Sequence, residues 1–98
     1  MGRARRYQPT YLAGKLKEIR IRLDLSQTQM AEKLGNAKPI PRRGHIAEFE
    51  SGKREPSLSV LLQYARVAGV IVDVLIDDEL DLPKRLSATT ARESRKRN

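Results

Sequence analysis

The chain has no cysteine and no tryptophan, and His45 is its single histidine. Without thiols there is no disulfide framework and no thiolate metal site. One imidazole cannot build a histidine-based metal cluster. Aromatic side chains are nearly as scarce: Tyr7, Tyr11, Phe49 and Tyr64 make up 4% of the residues. So few rings argue against recognition of single strands or RNA by base stacking. No apolar run approaches the ~18 residues of a membrane span, and the amino-terminal residues lack the charged-then-apolar pattern of a signal peptide. Internal repeats, a glycine-rich phosphate loop and any nucleophile–base or paired-carboxylate arrangement are missing too. These absences predict a cytoplasmic protein that is not an enzyme, does not engage a membrane, and needs neither metal nor cofactor.

Positive charge is what the chain has in excess, +8 in all. Arg3, Arg5 and Arg6 give residues 1–10 a charge of +3, and residues 84–98 carry +5. Residues 33–54 carry +4, whereas 73–81, with Asp73, Asp77, Asp78, Glu79 and Asp81, carry −5. A polyanion would therefore meet one basic face flanked by basic arms, with the acidic run pointing elsewhere. The plainer reading of the tails is that they only keep the chain soluble.

Ninety-eight residues make one domain with tails: a basic arm at 1–10, a folded domain at 11–82 and a basic, disordered tail at 83–98. Leu12, Leu16, Ile19 and Leu23 keep three-to-four spacing and predict an amphipathic helix over 11–23, with Thr10 as its cap. Ser26 and Gln29 stand in capping-box register before a second helix, in which Met30, Ala31 and Leu34 share a face and after which Gly35 is the stop. Pro39 and Pro41 keep 36–40 out of helix. A third helix, marked by Ile46 and Phe49, starts between Arg42 and His45. No Ser, Thr, Asp or Asn stands there, so Gly44 is the candidate cap. A fourth opens at Pro56 and Ser57, with Leu58, Leu61, Leu62 and Ala65 as its buried face and Gly69 as its end. The stretch 70–76 is apolar and β-branched, and its periodicity alone also allows a strand. The acidic run at 77–81 reads as a solvated segment.

The strings LSQ at 25–27, MAEKLG at 30–35 and IAEFESGKREP at 46–56 carry a resemblance. Over 16–75 the chain resembles the phage-repressor/Cro-type helix-turn-helix family. The resemblance implies an all-α, five-helix repressor-like bundle, with a short fifth helix at 72–76. It implies base reading in the major groove by the start of the motif's second helix, here Arg42, Arg43, Gly44, His45, Ala47 and Glu48. Gln27 at the preceding helix start and Lys53 and Arg54 after the recognition helix are the implied phosphate contacts. Lys38 and the arm residues Arg3, Arg5 and Arg6 are further candidates for phosphate or minor groove. Arg20 and Glu50 occupy the positions of a structural ion pair. Ile71, Val74, Ile76 and Leu80 are the candidate dimer interface, being surplus to what a short fifth helix needs for docking. One departure stands out: the segment joining the two motif helices is about five residues longer than the usual 3–4-residue turn. The extra stretch, 36–40, is expected to bulge outward and to be removable without loss of the fold. The function implied is a sequence-specific regulator that binds double-stranded DNA as a homodimer and represses. The alternative is a protein-interaction module, or an antitoxin-like protein that binds a protein partner.

Overall fold

Helices this short are unstable alone in water, so each must bury an apolar face against the others. The computed structural model describes residues 9–86 of the chain. Its helices are α1 (Leu12–Arg22), α2 (Gln27–Lys33), α3 (Arg43–Ser51), α4 (Leu58–Ala68) and α5 (Val72–Ile76). No described residue forms a strand, so the 70–76 stretch is resolved in favour of helix. Leu16, Ile19, Met30, Leu34, Ile46, Tyr64 and Leu75 are fully buried at the centre. α3 packs on both α1 and α2, while α5 packs on α4 and α1.

Local chemistry sets most helix ends. The Ser26 Oγ accepts from the Gln29 amide at 3.0 Å, and the Gln29 Oε1 accepts from the Ser26 amide at 2.8 Å, a complete capping box. The Ser57 Oγ accepts from the Val60 amide at 3.1 Å and starts α4. Gly52, at φ 81°, lets the chain leave α3 through the left-handed region that a Cβ disfavours.

Elsewhere tertiary contacts override the local signals. Thr10 is not the cap of α1. The Asp78 carboxylate reaches across from the acidic run and accepts from the amides of Thr10 at 2.8 Å and Tyr11 at 3.1 Å. These donors, the Thr10 amide foremost, hold its carboxyl below the usual carboxylate range. At Asp78, then, the acidic run is docked rather than merely solvated. Its neighbour in this junction is Lys15, only 7% exposed although charged. Lys15 Nζ donates to the carbonyls of Val74 at 2.7 Å, Asp77 at 3.0 Å and Leu80 at 2.7 Å. The last turn of a helix leaves carbonyls without intrahelical partners; here one ammonium serves Val74 of α5, Asp77 at its cap, which also accepts from the Leu80 amide at 3.0 Å, and Leu80 beyond it.

The buried face of α4 also differs from the expected one. Val60, Leu61, Tyr64, Ala65 and Ala68 face the core, whereas Leu58 is 81% exposed and Leu62 is exposed as well. Leu58 and Leu62 are four residues apart and share a stripe that points outward. The 36–40 stretch does not bulge away. Ala37 is 1% exposed within the core, the Lys38 amide donates to Ser59 Oγ at 2.8 Å, and Ser57 Oγ donates to the Lys38 carbonyl at 3.4 Å. The turn thus lies on the start of α4. Ile40 is exposed. Past Pro83 the chain is still docked. Leu82 and Leu86 pack against the core, and the Arg22 guanidinium donates to the Pro83 carbonyl. Expectations for residues 1–8 and 87–98 lie outside the described residues.

Candidate nucleic-acid interface

The helix-turn-helix pair is α2 and α3, and a polar network at their base sets the angle between them. Arg20 of α1 donates from Nε to Glu50 Oε2 at 2.6 Å and from Nη2 to Glu50 Oε1 at 3.0 Å. Its third nitrogen, Nη1, donates to the Leu25 carbonyl at 2.9 Å in the α1–α2 connection. Gln27 Nε2, at the start of α2, donates to the same Glu50 Oε1 at 3.3 Å. One carboxylate near the end of α3 therefore gathers groups from α1 and α2. The Glu50 side chain is 4% exposed, where a lone charge would be strongly unfavourable and a forked guanidinium offsets that. The hydrogen bond to Glu50 holds the Arg20 guanidinium even more firmly protonated than usual. Gln27, expected at a phosphate, has one amide nitrogen engaged in this brace and stands half-buried.

The start of α3 is open to solvent. Arg42, Arg43 and Gly44 are exposed, and His45, Ala47 and Glu48 are half-exposed. No atom of the described residues lies within 4 Å of where a Cβ on Gly44 would stand, so another surface can approach the backbone there. Gly44 is not the cap, as the sequence had suggested. Arg42 is the capping position, in extended conformation, and α3 begins at Arg43. An arginine side chain has no acceptor. The fastening comes from His45, whose Nδ1 accepts from the Arg42 amide at 3.1 Å.

At the other end of α3, Lys53 and Arg54 are exposed. Their amides donate to the Glu48 carbonyl at 2.9 and 3.3 Å. The Arg54 Nε also donates to Glu48 Oε1 at 2.5 Å. That bond is the main reason the Glu48 carboxyl is held below its ordinary range. Two expected contacts of different kinds, a base reader and a phosphate binder, are thus paired with each other, and each partly neutralises the other. Lys38 is exposed on the turn, its backbone held by Ser57 and Ser59. Arg3, Arg5 and Arg6 lie outside the described residues. At the far end of the fold Ile71, Ile76 and Leu80 are exposed and Val74 is half-buried. Val70, Val72 and Leu75 pack against the core.

Among the described residues no group of three or more His, Cys, Asp or Glu side chains could hold an ion. Nor is any helix there long and apolar enough to cross a membrane.

Sequence reasoning missed four contributors. Lys15 was visible in principle, since it shares the face of Leu12, Leu16 and Ile19. Asp78 and Ser59 gave no local signal, because each acts on a segment remote in sequence. The role of His45 was legible only once the start of α3 was located, three residues before it.

Residues 16–75 match the profile of a helix-turn-helix family. The chain is 34% identical over 74 residues to a propionyl-CoA carboxylase regulator of Cereibacter sphaeroides, a match that covers 76% of this chain and 15% of that protein. It is 35% identical over 69 residues to an uncharacterised HTH-type transcriptional regulator of Archaeoglobus fulgidus, covering 69% of this chain and 90% of that one. The chain therefore spans only a small part of the first relative and nearly all of the second. No solved structure matches it.

Proposed function

The chain belongs to the helix-turn-helix family of the Cro/C1 type, and from that premise we propose that it is a sequence-specific transcriptional repressor that binds double-stranded DNA as a homodimer. The single observation that carries this reading is the exposed start of α3. Arg42, Arg43 and Gly44 stand open to solvent on a helix braced through Glu50 to α1 and α2. Such a helix end fits the major groove, and a guanidinium there matches the two acceptors of guanine. Lys38 on one flank and Lys53 on the other suit the neighbouring phosphates. Gln27, at the start of α2, engages Glu50 through Nε2 and stays a candidate for the same role through its amide oxygen. Arg54 acts as a phosphate contact only together with its partner Glu48.

Residues 11–82, with the docked extension to Leu86, are the DNA-binding unit in this reading. The basic segments at both ends add sequence-independent attraction to phosphate. Two copies joined through Ile71, Val74, Ile76 and Leu80 read two half-sites about 34 Å apart and repress by covering a promoter. The chain acts by occupancy and catalyses nothing, and the DNA it reads places it in the cytoplasm. A second reading, a protein-interaction module, rests on the same exposed aliphatic group at 71–80.

The test begins with selection of a cognate duplex from a random pool, followed by titration against cognate and random DNA over a range of salt. Arg43→Ala should cost about 1–3 kcal/mol at the cognate duplex and little on random DNA. Lys53→Ala should weaken both alike and flatten the salt slope by about one unit. Equal losses for the two variants on both duplexes reject the division of roles. A chain that selects no duplex leaves the protein-interaction reading.

A further inference from the structure

The base-reading end of α3 has an unusual fastening. Helices normally begin with a Ser, Thr, Asp or Asn whose oxygen accepts from the first turn, and α2 and α4 do so through Ser26 and Ser57. α3 begins after Pro41 and Arg42, neither of which offers a side-chain acceptor. The contact that closes its start comes from the third helical residue. His45 Nδ1 accepts from the Arg42 amide at 3.1 Å. The same ring lines a cleft of about 140 Å³ with Pro39, Ile40, Pro41 and Phe49. It therefore shares a cleft with the lengthened turn and Phe49 of α3 while holding the backbone of the first candidate base reader.

We infer that His45 is a positioning residue for sequence readout: its imidazole, as a hydrogen-bond acceptor, fixes where α3 begins and so where Arg42 and Arg43 point. The inference rests on the DNA-binding reading above. It removes His45 from the base-reading set and gives it a different part. As an acceptor at Nδ1, the ring carries its proton on Nε2, and no charge on the imidazole is required. Bidentate recognition of guanine needs both guanidinium nitrogens aligned with one base edge. A frayed first turn would leave the attraction of the arginines to DNA intact and blur only their aim. The chain contains its own precedent for the chemistry. Gln29, also third in its helix, uses Oε1 to accept from the Ser26 amide at 2.8 Å.

Three variants separate acceptor from charge and bulk. His45→Gln restores an acceptor with the reach Gln29 shows, His45→Lys supplies positive charge without an acceptor, and His45→Ala supplies neither. Each is titrated as full chain against the selected cognate duplex and a random one, and exchange of the Arg42 amide proton is followed by NMR without DNA. The expected result is that Ala and Lys lower the cognate-to-random affinity ratio roughly fivefold to tenfold, the scale of a lost cap relayed to a bidentate contact. Random-duplex affinity should hold steady for Ala and rise for Lys, while Gln keeps the wild-type ratio. The Arg42 amide should exchange slowly in wild type and Gln, and fast in Ala and Lys. An unchanged ratio in Ala, or a Gln variant as impaired as Ala, overturns the inference. A wild type that does not discriminate between duplexes defeats the DNA reading and the positioning role with it, whereas wild-type discrimination with failure confined to the variants sinks the inference alone.

Discussion

Lys15→Met tests how the carboxy-terminal part of the fold is held. Methionine keeps the unbranched stem that packs beside Leu12 and Leu16, and removes only the ammonium. Three carbonyls then lose the ammonium: Val74, Asp77 and Leu80, now at 2.7, 3.0 and 2.7 Å from Nζ, although Asp77 keeps the Leu80 amide at 3.0 Å. A hydrogen bond to a charged group contributes about 1.5–3 kcal/mol net. Three to one ammonium do not add, and relief from keeping a charge out of water offsets part of the loss. A net destabilisation of about 2–4 kcal/mol follows. A domain of this size has about 4–12 kcal/mol in total, at ~0.05–0.15 kcal/mol per residue. The variant should therefore fold, with its urea midpoint lowered by about 2 M or more at an m-value near 1 kcal/mol/M. Amide exchange should rise first at residues 74–82, because the lost bonds are local to that strap. The same strap carries the aliphatic side chains of the proposed dimer contact, so self-association should weaken in parallel. A midpoint within about 0.3 M of wild type would refute the reasoning, since it would mean that the three carbonyls are equally well served by water.

The other expectations concern the turn, the buried phenol and the acid side of the stability curve. Deleting residues 36–40 should unfold the domain or cost it more than about 2 kcal/mol, because Ala37 is core and the Lys38 backbone bonds α4; a cooperative circular-dichroism melt at the wild-type temperature would contradict this. The Tyr64 hydroxyl is buried beside the Arg20–Glu50 pair and has no hydrogen-bond partner among the described residues. Tyr64→Phe should therefore be neutral or up to about 1 kcal/mol more stable, and a clear loss in chemical denaturation would show that the hydroxyl is bonded. Because the Asp78 carboxyl is held below its ordinary range in the fold, its stabilisation is present above the ordinary aspartate value near ~3.9 and is lost as pH falls through the folded value. Asp78→Ala should accordingly melt lower than wild type at neutral pH, with the gap closing in acid; a gap independent of pH would locate the effect elsewhere. Ile71→Lys combined with Val74→Lys should give a folded chain that sediments as a monomer and holds only half-sites weakly.

Much of the architecture was readable from short-range patterns. The capping box of α2, the glycine exits at Gly52 and Gly69 and the core spacing of Leu12, Leu16 and Ile19 are relations within a few residues, and the helices formed where those relations placed them. The strings at 25–35 and 46–56 likewise pointed to the family, because the helix-turn-helix is itself a local unit. The Arg20–Glu50 pair came from the resemblance and not from any local pattern, and the structure shows the two joined.

Other features depended on which segments meet. Periodicity marks that α4 has an apolar side, but Leu58 and Leu62 are as apolar as Val60 and Leu61, and only the approach of other segments, the turn and α5 among them, decides which stripe is covered. The turn was read as an outward loop because proline excludes helix without saying where the chain lies, and a backbone amide bonded to Ser59 leaves no trace in composition. Asp78 was read as part of a solvated run for the same reason, and Lys15 was not singled out. Each saturates backbone groups more than fifty positions away, and what makes a charge structural is the unsatisfied amide or carbonyl it meets. The sequence by itself determined the first four helices, the helix ends at Ser26, Gly52, Ser57 and Gly69, and the excess of positive charge over 33–54. The tertiary structure alone decided which polar groups close the junction of α1 with α5 and which side chain aims the start of α3, because burial creates the demand for those hydrogen bonds and only the packed chain shows who meets it.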